Sequence, residues 1–203
     1  MLLEKFKDIV LQNGKSFKDY LQATLEKFSN QNVFADPHAD SKFELRKLNY
    51  HRMSRIIKTY KINSELKSLI EKNISEYQLW LVITEDWCGD SAQILPYLAV
   101  MASQNPLINF KILERDSNLD FMDLYLTDGK SRSIPKLIVI DKDWNEVFQW
   151  GARPKAAQDY FLQLKSEGLA KDSINEKLQM WYNADKGKSL EAEFSEILTL
   201  INN

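Results

Sequence analysis

Cys88 is the only cysteine in the chain, and it stands in the segment Trp87-Cys88-Gly89-Asp90-Ser91, between a short apolar run and a helical pattern. A thiolate is the attacking species in disulfide exchange, and the first N–H groups of a helix favour its negative charge. A cysteine at a strand-to-helix junction is therefore placed to be activated. Glu85, Asp86 and Asp90 lie within three residues of it, and any of these that points at the sulfur opposes the thiolate. The sign of the net shift depends on where those carboxylates point, which spacing does not give. If Cys88 attacks a disulfide, the product is a mixed disulfide, and no second cysteine in the chain can release it. The hydroxyl of Ser91 can at most donate a hydrogen bond to the sulfur. Release then falls to an external thiol, from a second protein or a low-molecular-weight thiol. The chemistry left open is monothiol exchange: removal of a small thiol from a protein, isomerisation, or capture of a partner.

Other residues with chemical potential carry weaker signals. His38 and His51 are thirteen positions apart, with Asp36 and Asp40 beside the first, and they lack a ligand pair at helical spacing, so no metal is expected. Tyr77, Trp80, Trp144, Trp150 and Trp181 read as packing residues and not as a cofactor box. No cofactor is expected.

The chain of 203 residues suits one sizeable core with helical extensions. Hydrophobic residues make up 44% and charged residues 28%, as in soluble globular proteins, so long disorder is not indicated. A net charge of −2, with basic residues dispersed among acidic ones, offers no field for a polyanion. Nucleic acid is not an expected partner. The first residues mix charges into an apolar pattern without a secretory h-region, and no stretch approaches the roughly 18 apolar residues that span a bilayer. A cytoplasmic protein without a membrane partner is expected, and the lone cysteine agrees with a reducing compartment. Oligomeric state is not readable.

Several elements must position Cys88. Residues 1 to about 30 carry apolar positions at helical spacing, broken at Asn13-Gly14. Ser41-Lys-Phe-Glu44 is a capping-box pattern opening a helix through about Tyr60, and Asn63 or Ser64 can cap another that ends near Asn73. Leu79-Trp-Leu-Val-Ile-Thr84 reads as a strand buried on both faces and feeds into the cysteine. A helix from Ser91 contains Pro96, a strand covers Leu107 to Leu113, and a short helix covers Leu119 to Leu126. Lys136 to Ile140 and Glu146 to Trp150 read as a hairpin closed by Gly151. Pro154 opens a helix to about Glu167, and two more start at Ser173-Ile-Asn-Glu176 and near Ser189. The order implies an α/β fold, a mixed central sheet with helices on both faces. Three parts are expected: a helical N-terminal extension over 1–74, the sheet domain over 75–168 and a C-terminal helical extension over 169–203.

The strand, the Trp87-to-Ser91 segment and the helix with Pro96 resemble the W-C-G-P-C site of thioredoxins and the proline that kinks their active-site helix. Ser133-Ile134-Pro135, preceding a strand, resembles the family's cis-proline element, and Gly151, sixteen positions on, the glycine after its hairpin. The resemblance covers roughly 75–168. It is similar in particular to a bacterial branch with W-C-G-D at the site and a helical N-terminal extension. What it implies is a thioredoxin-like fold and a possible thiol-disulfide oxidoreductase of monothiol C-x-x-S type. Cys88, Ser91 and Pro135 would take the catalytic positions, and Trp87, Gly89, Asp90 and Ile134 would contact substrate, with the Ile134 backbone pairing to an extended segment. A protein disulfide or protein thiol, or a low-molecular-weight thiol, is the implied partner. The departures are as informative. Ser91 replaces the second cysteine, Asp90 the proline, Val82 a buried acid that assists proton transfer, and Lys136 a common threonine. A non-catalytic protein-binding module on the same groove is the competing expectation. Comparison with the C-G-F-S site of monothiol glutaredoxins, which can hold an iron–sulfur cluster, is weak, because the aromatic third residue and the later double glycine are absent.

Overall fold

The run after Gln78 has no polar face because both of its faces are covered. In strand β1 (Gln78–Thr84), Trp80 and Val82 enter one buried cluster, and Leu79, Leu81 and Ile83 enter another on the opposite face. A computed structural model describes residues 3–29 and 42–201. Asp36, His38 and Asp40, and Ser41 of the expected capping box, lie outside the described residues.

Strand β1 pairs in parallel with β2 (Ile108–Glu114) and antiparallel with β3 (Lys136–Asp141), which pairs antiparallel with β4 (Glu146–Gly151). The order β2-β1-β3-β4 makes a mixed sheet, and Val82 at its centre faces Ile112 on one side and Leu137 on the other. The larger cluster draws on α2 (Phe17–Ser29), α3 (Phe43–Thr59), α4 (Ser64–Asn73), α5 (Gly89–Ala102), α7 (Lys155–Ser166), α8 (Lys171–Asp185) and α9 (Lys188–Leu200). The smaller one is built by the turn at Glu4–Phe6, α1 (Lys7–Asn13) and α6 (Leu119–Met122), whose chain continues as a 3-10 turn through Tyr125. Helices therefore cover both faces, as the sequence implies.

Local signals set most boundaries. Asn63 accepts the backbone N–H of Glu65 and caps α4. Between α1 and α2, Lys15 exchanges both backbone hydrogen bonds with Ile112 and so occupies the outer edge of β2. One expected helix start shifts and one is met. Helix α8 begins at Lys171, two residues before Ser173, because the Ala170 carbonyl already accepts from Ile174. Helix α9 begins at Lys188, near Ser189 as expected, and the Ser189 N–H and hydroxyl donate to Asp185.

Gly151 fixes where the hairpin meets the loop before β3. Its φ is 124°, and a Cβ there would run into the Pro135 carbonyl oxygen, so both sterics and backbone conformation exclude a side chain. Gly151→Ala is expected to cost at least about 2–3 kcal/mol, read as a lower urea midpoint at unchanged slope. An unchanged midpoint would contradict the close approach.

Candidate functional site

Strand β1 ends at Thr84, and the next four residues turn into α5 with Cys88 at its N-cap in extended backbone. The Cys88 N–H donates to Glu85 O at 3.1 Å, and Ala92 N–H donates to Cys88 O at 3.1 Å, so one tight turn joins strand to helix. Cys88 is partly exposed, and its S–H donates to the Ile134 carbonyl at 3.5 Å. The Ile134–Pro135 bond is cis, and both residues are buried. Cys88, Ser91, Ile134 and Pro135 thus come together across 46 residues of chain. Ser91 is buried and accepts the Thr84 hydroxyl at 2.5 Å, which places its oxygen at the base of the helix.

The three acids near Cys88 have separate fates. The Asp86 side chain is 0% exposed and pairs with Lys27 at 2.7 Å and Arg46 at 2.8 Å. Glu85 turns to accept the backbone N–H of Asp116 at 2.7 Å, and burial holds its carboxyl above the usual range against that bond. Only Asp90 acts on the sulfur. Burial raises the Cys88 thiol above its ordinary value and the Asp90 charge adds to this, while the Ser91 hydroxyl and the N–H groups of Ser91 and Asp90 pull the other way and lose. The bond to Ile134 O also favours the protonated form, since a thiolate has no hydrogen to donate. The helix N-terminus is present as the sequence suggests, and burial outweighs it.

Asp90 is itself held from the C-terminal half. Arg153 reaches one oxygen at 2.6 Å, and the Tyr182 hydroxyl donates to the other at 2.9 Å. Gly89 leaves room for Gln179, whose amide nitrogen lies 3.1 Å from where a Cβ would stand. On the opposite edge Trp87 carries the Lys42 ammonium 4.1 Å and the Arg115 guanidinium 5.2 Å from its ring centroid. Sequence reading missed Lys27, Arg46, Arg153, Gln179 and Tyr182 as neighbours of the site. Only Arg153, two residues beyond Gly151, had a positional signal. Lys136 is buried behind the proline, and burial lowers its ammonium's affinity for a proton. His51 lies exposed on α3, and no acid, histidine or cysteine cluster suited to a metal occurs among the described residues.

The rate of Cys88 alkylation against pH is expected to titrate above the free-thiol value of roughly 8.5. Asp90→Asn removes the nearest opposing charge and lowers that midpoint. A wild-type midpoint at or below the free value, or no downward move in the variant, would contradict this electrostatic assignment.

Comparison with known proteins bears on the whole arrangement. The family model described as Thioredoxin (Thioredoxin_9) matches residues 37–168. No curated protein matches significantly. Among solved structures, the crystal structure of an HIV epitope-scaffold is similar at 20% identity and a TM-score of 0.60, covering 96% of this chain and 96% of that one. The crystal structure of PA1234, a protein of unknown function from Pseudomonas aeruginosa, is similar at 18% identity and a TM-score of 0.55, covering 89% of this chain and 93% of that one. These likenesses carry the fold. With the family model spanning well over half of the chain, and the lone Cys88 seated opposite Pro135 on a β2-β1-β3-β4 sheet, the chain belongs to the thioredoxin family.

Proposed function

We propose that the protein captures disulfide-bearing protein partners through Cys88 and leaves their release to an external thiol. The observation that carries this reading is the Cys88 sulfur lying against the Ile134 carbonyl beside Pro135, while the position three residues on is a serine. Cys88 loses its proton to solvent, and its sulfur attacks one sulfur of the partner's disulfide. A Cys88–partner S–S bond forms, the partner's own S–S bond breaks, and the electron pair leaves on the partner's other sulfur. A second thiolate must then attack the mixed disulfide and expel Cys88. A thiol whose pKa is raised is a poorer leaving group, so the shift at Cys88 favours a lasting adduct over turnover. The Ile134 backbone and the Trp87 edge form the groove for an extended partner segment in this proposal, and the cytoplasm is the compartment where small thiols could complete release. The division into 1–74, 75–168 and 169–203 belongs to the same proposal, the flanking parts holding the cysteine loop from both sides.

A second reading, recognition of a protein in the groove without thiol chemistry, is favoured by one observation. Asp90 and Ser91, the two departures next to the sulfur, are both engaged in structural bonds, to Arg153 and Tyr182 and to Thr84. Intact mass after incubation with a disulfide-bearing peptide separates the two. Wild type is expected to form a one-to-one adduct that persists until a low-molecular-weight thiol is added, and Ser91→Cys to accumulate at least about tenfold less, because a second thiol can resolve it. Absence of any wild-type adduct would overturn capture, and peptide retained by Cys88→Ala would then favour recognition alone.

A further inference from the structure

Away from the cysteine loop, a cleft of about 420 Å³ opens between α3, α5 and α8. Its size falls in the roughly 300–1,000 Å³ range of small-molecule sites. Three cations from three stretches of chain line it: Arg55 on α3, Lys61 after that helix, and Lys186 at the end of α8. All three are exposed, and none makes an ion pair with a described carboxylate. Two acids, Asp185 and Glu191, act on the cleft's tyrosines, and each is hydrogen-bonded. Asp185 accepts from Ser189, and Glu191 accepts the Tyr60 hydroxyl and the Asn63 N–H.

The cleft is also aromatic. Tyr60 and Tyr97 line it edge to face, with centroids 4.5 Å apart. The chain is shaped to keep that wall. Lys186 takes a left-handed conformation at φ 56°, and Gly187 follows because a Cβ there would press on the Tyr97 ring. The Arg55 guanidinium is oriented by a 2.8 Å bond to the Asn183 side-chain oxygen. One turn earlier, burial and then the Arg55 charge make Arg52 hold its proton less tightly.

We propose that this cleft is a binding site for a small aromatic oxyanion, its charge held by Arg55, Lys61 and Lys186 and its ring laid against Tyr60 and Tyr97. A guanidinium pairs equally well with phosphate and with carboxylate, so the shared chemistry is an oxyanion on a planar ring. The site does not include the thiol. Tyr182 lines the cleft and separately donates its hydroxyl to Asp90, but Cys88 is not among the lining residues.

Calorimetric titration of the full chain with phenyl phosphate, benzoate and phenol tests it. Saturable one-site binding of phenyl phosphate or benzoate is expected, with phenol binding at least about tenfold more weakly, and the tighter acid identifies the oxyanion. Arg55→Gln and Lys186→Gln, both at exposed positions, should each weaken that binding about tenfold. Cys88→Ser should leave it unchanged, so the outcome does not depend on the thiol reading. No saturation by either acid at about 10 mM, phenol binding as tightly, or unchanged affinity in both cation variants would overturn the proposal.

Discussion

The cysteine loop is tied to the rest of the molecule by one carboxylate with no exposed surface. Asp86 sits two residues before Cys88, and its charge is met by Lys27 from α2 and Arg46 from α3, while Asn49 of α3 donates to its backbone oxygen at 2.9 Å. A buried carboxylate is tolerable only when paired, and removing one partner of such a pair typically costs about 3–5 kcal/mol. Lys27 continues the network to Glu114 at the end of β2, where Lys15 also binds. Burial alone would raise the Glu114 carboxyl, yet the two ammonium groups hold it below the usual range. The helices before the sheet are therefore bolted to the turn that presents the thiol.

Asp90 repeats the device from the other end of the chain. Arg153 and Tyr182 hold its carboxylate, and Gln179 fills the space left by Gly89. The loop from Asp86 to Asp90 is thereby suspended between N-terminal and C-terminal helices. This suspension sets the surroundings of the thiol. It keeps an anion beside the sulfur, it contributes to burial, and it leaves the S–H directed at the Ile134 carbonyl. A helix N-terminus that would otherwise activate the thiol is overridden by its surroundings.

Much of the sheet was legible because its signals are local. The β-branched run of β1 and the hairpin closed by Gly151 each act within a few residues or along a fixed turn geometry, whereas the apposition of Cys88 and Pro135 was implied by the family resemblance. Asn63 capping α4 is of the same kind. What spacing could not supply were the partners of Asp86 and Asp90, which lie 59, 40, 63 and 92 positions away for Lys27, Arg46, Arg153 and Tyr182. Lysines and arginines are common on helical surfaces, so nothing in their local sequence marks these as partners of the cysteine loop. The direction of the Cys88 shift depended on those distant groups and so could not be read.

Membership of the thioredoxin family places the sulfur and the proline but does not decide whether exchange runs to completion. The central claim is that Cys88 can begin exchange and cannot finish it. With no internal resolving thiol, the natural protein should act as its own trap. Mass spectrometry of the untagged-site wild type recovered from cells under thiol-blocking conditions tests this most directly. Proteins joined to Cys88 by a disulfide, released by reductant and lost in Cys88→Ala, are the predicted result. A Cys88 found wholly as free thiol, with the same co-purifying proteins in wild type and variant, would contradict it.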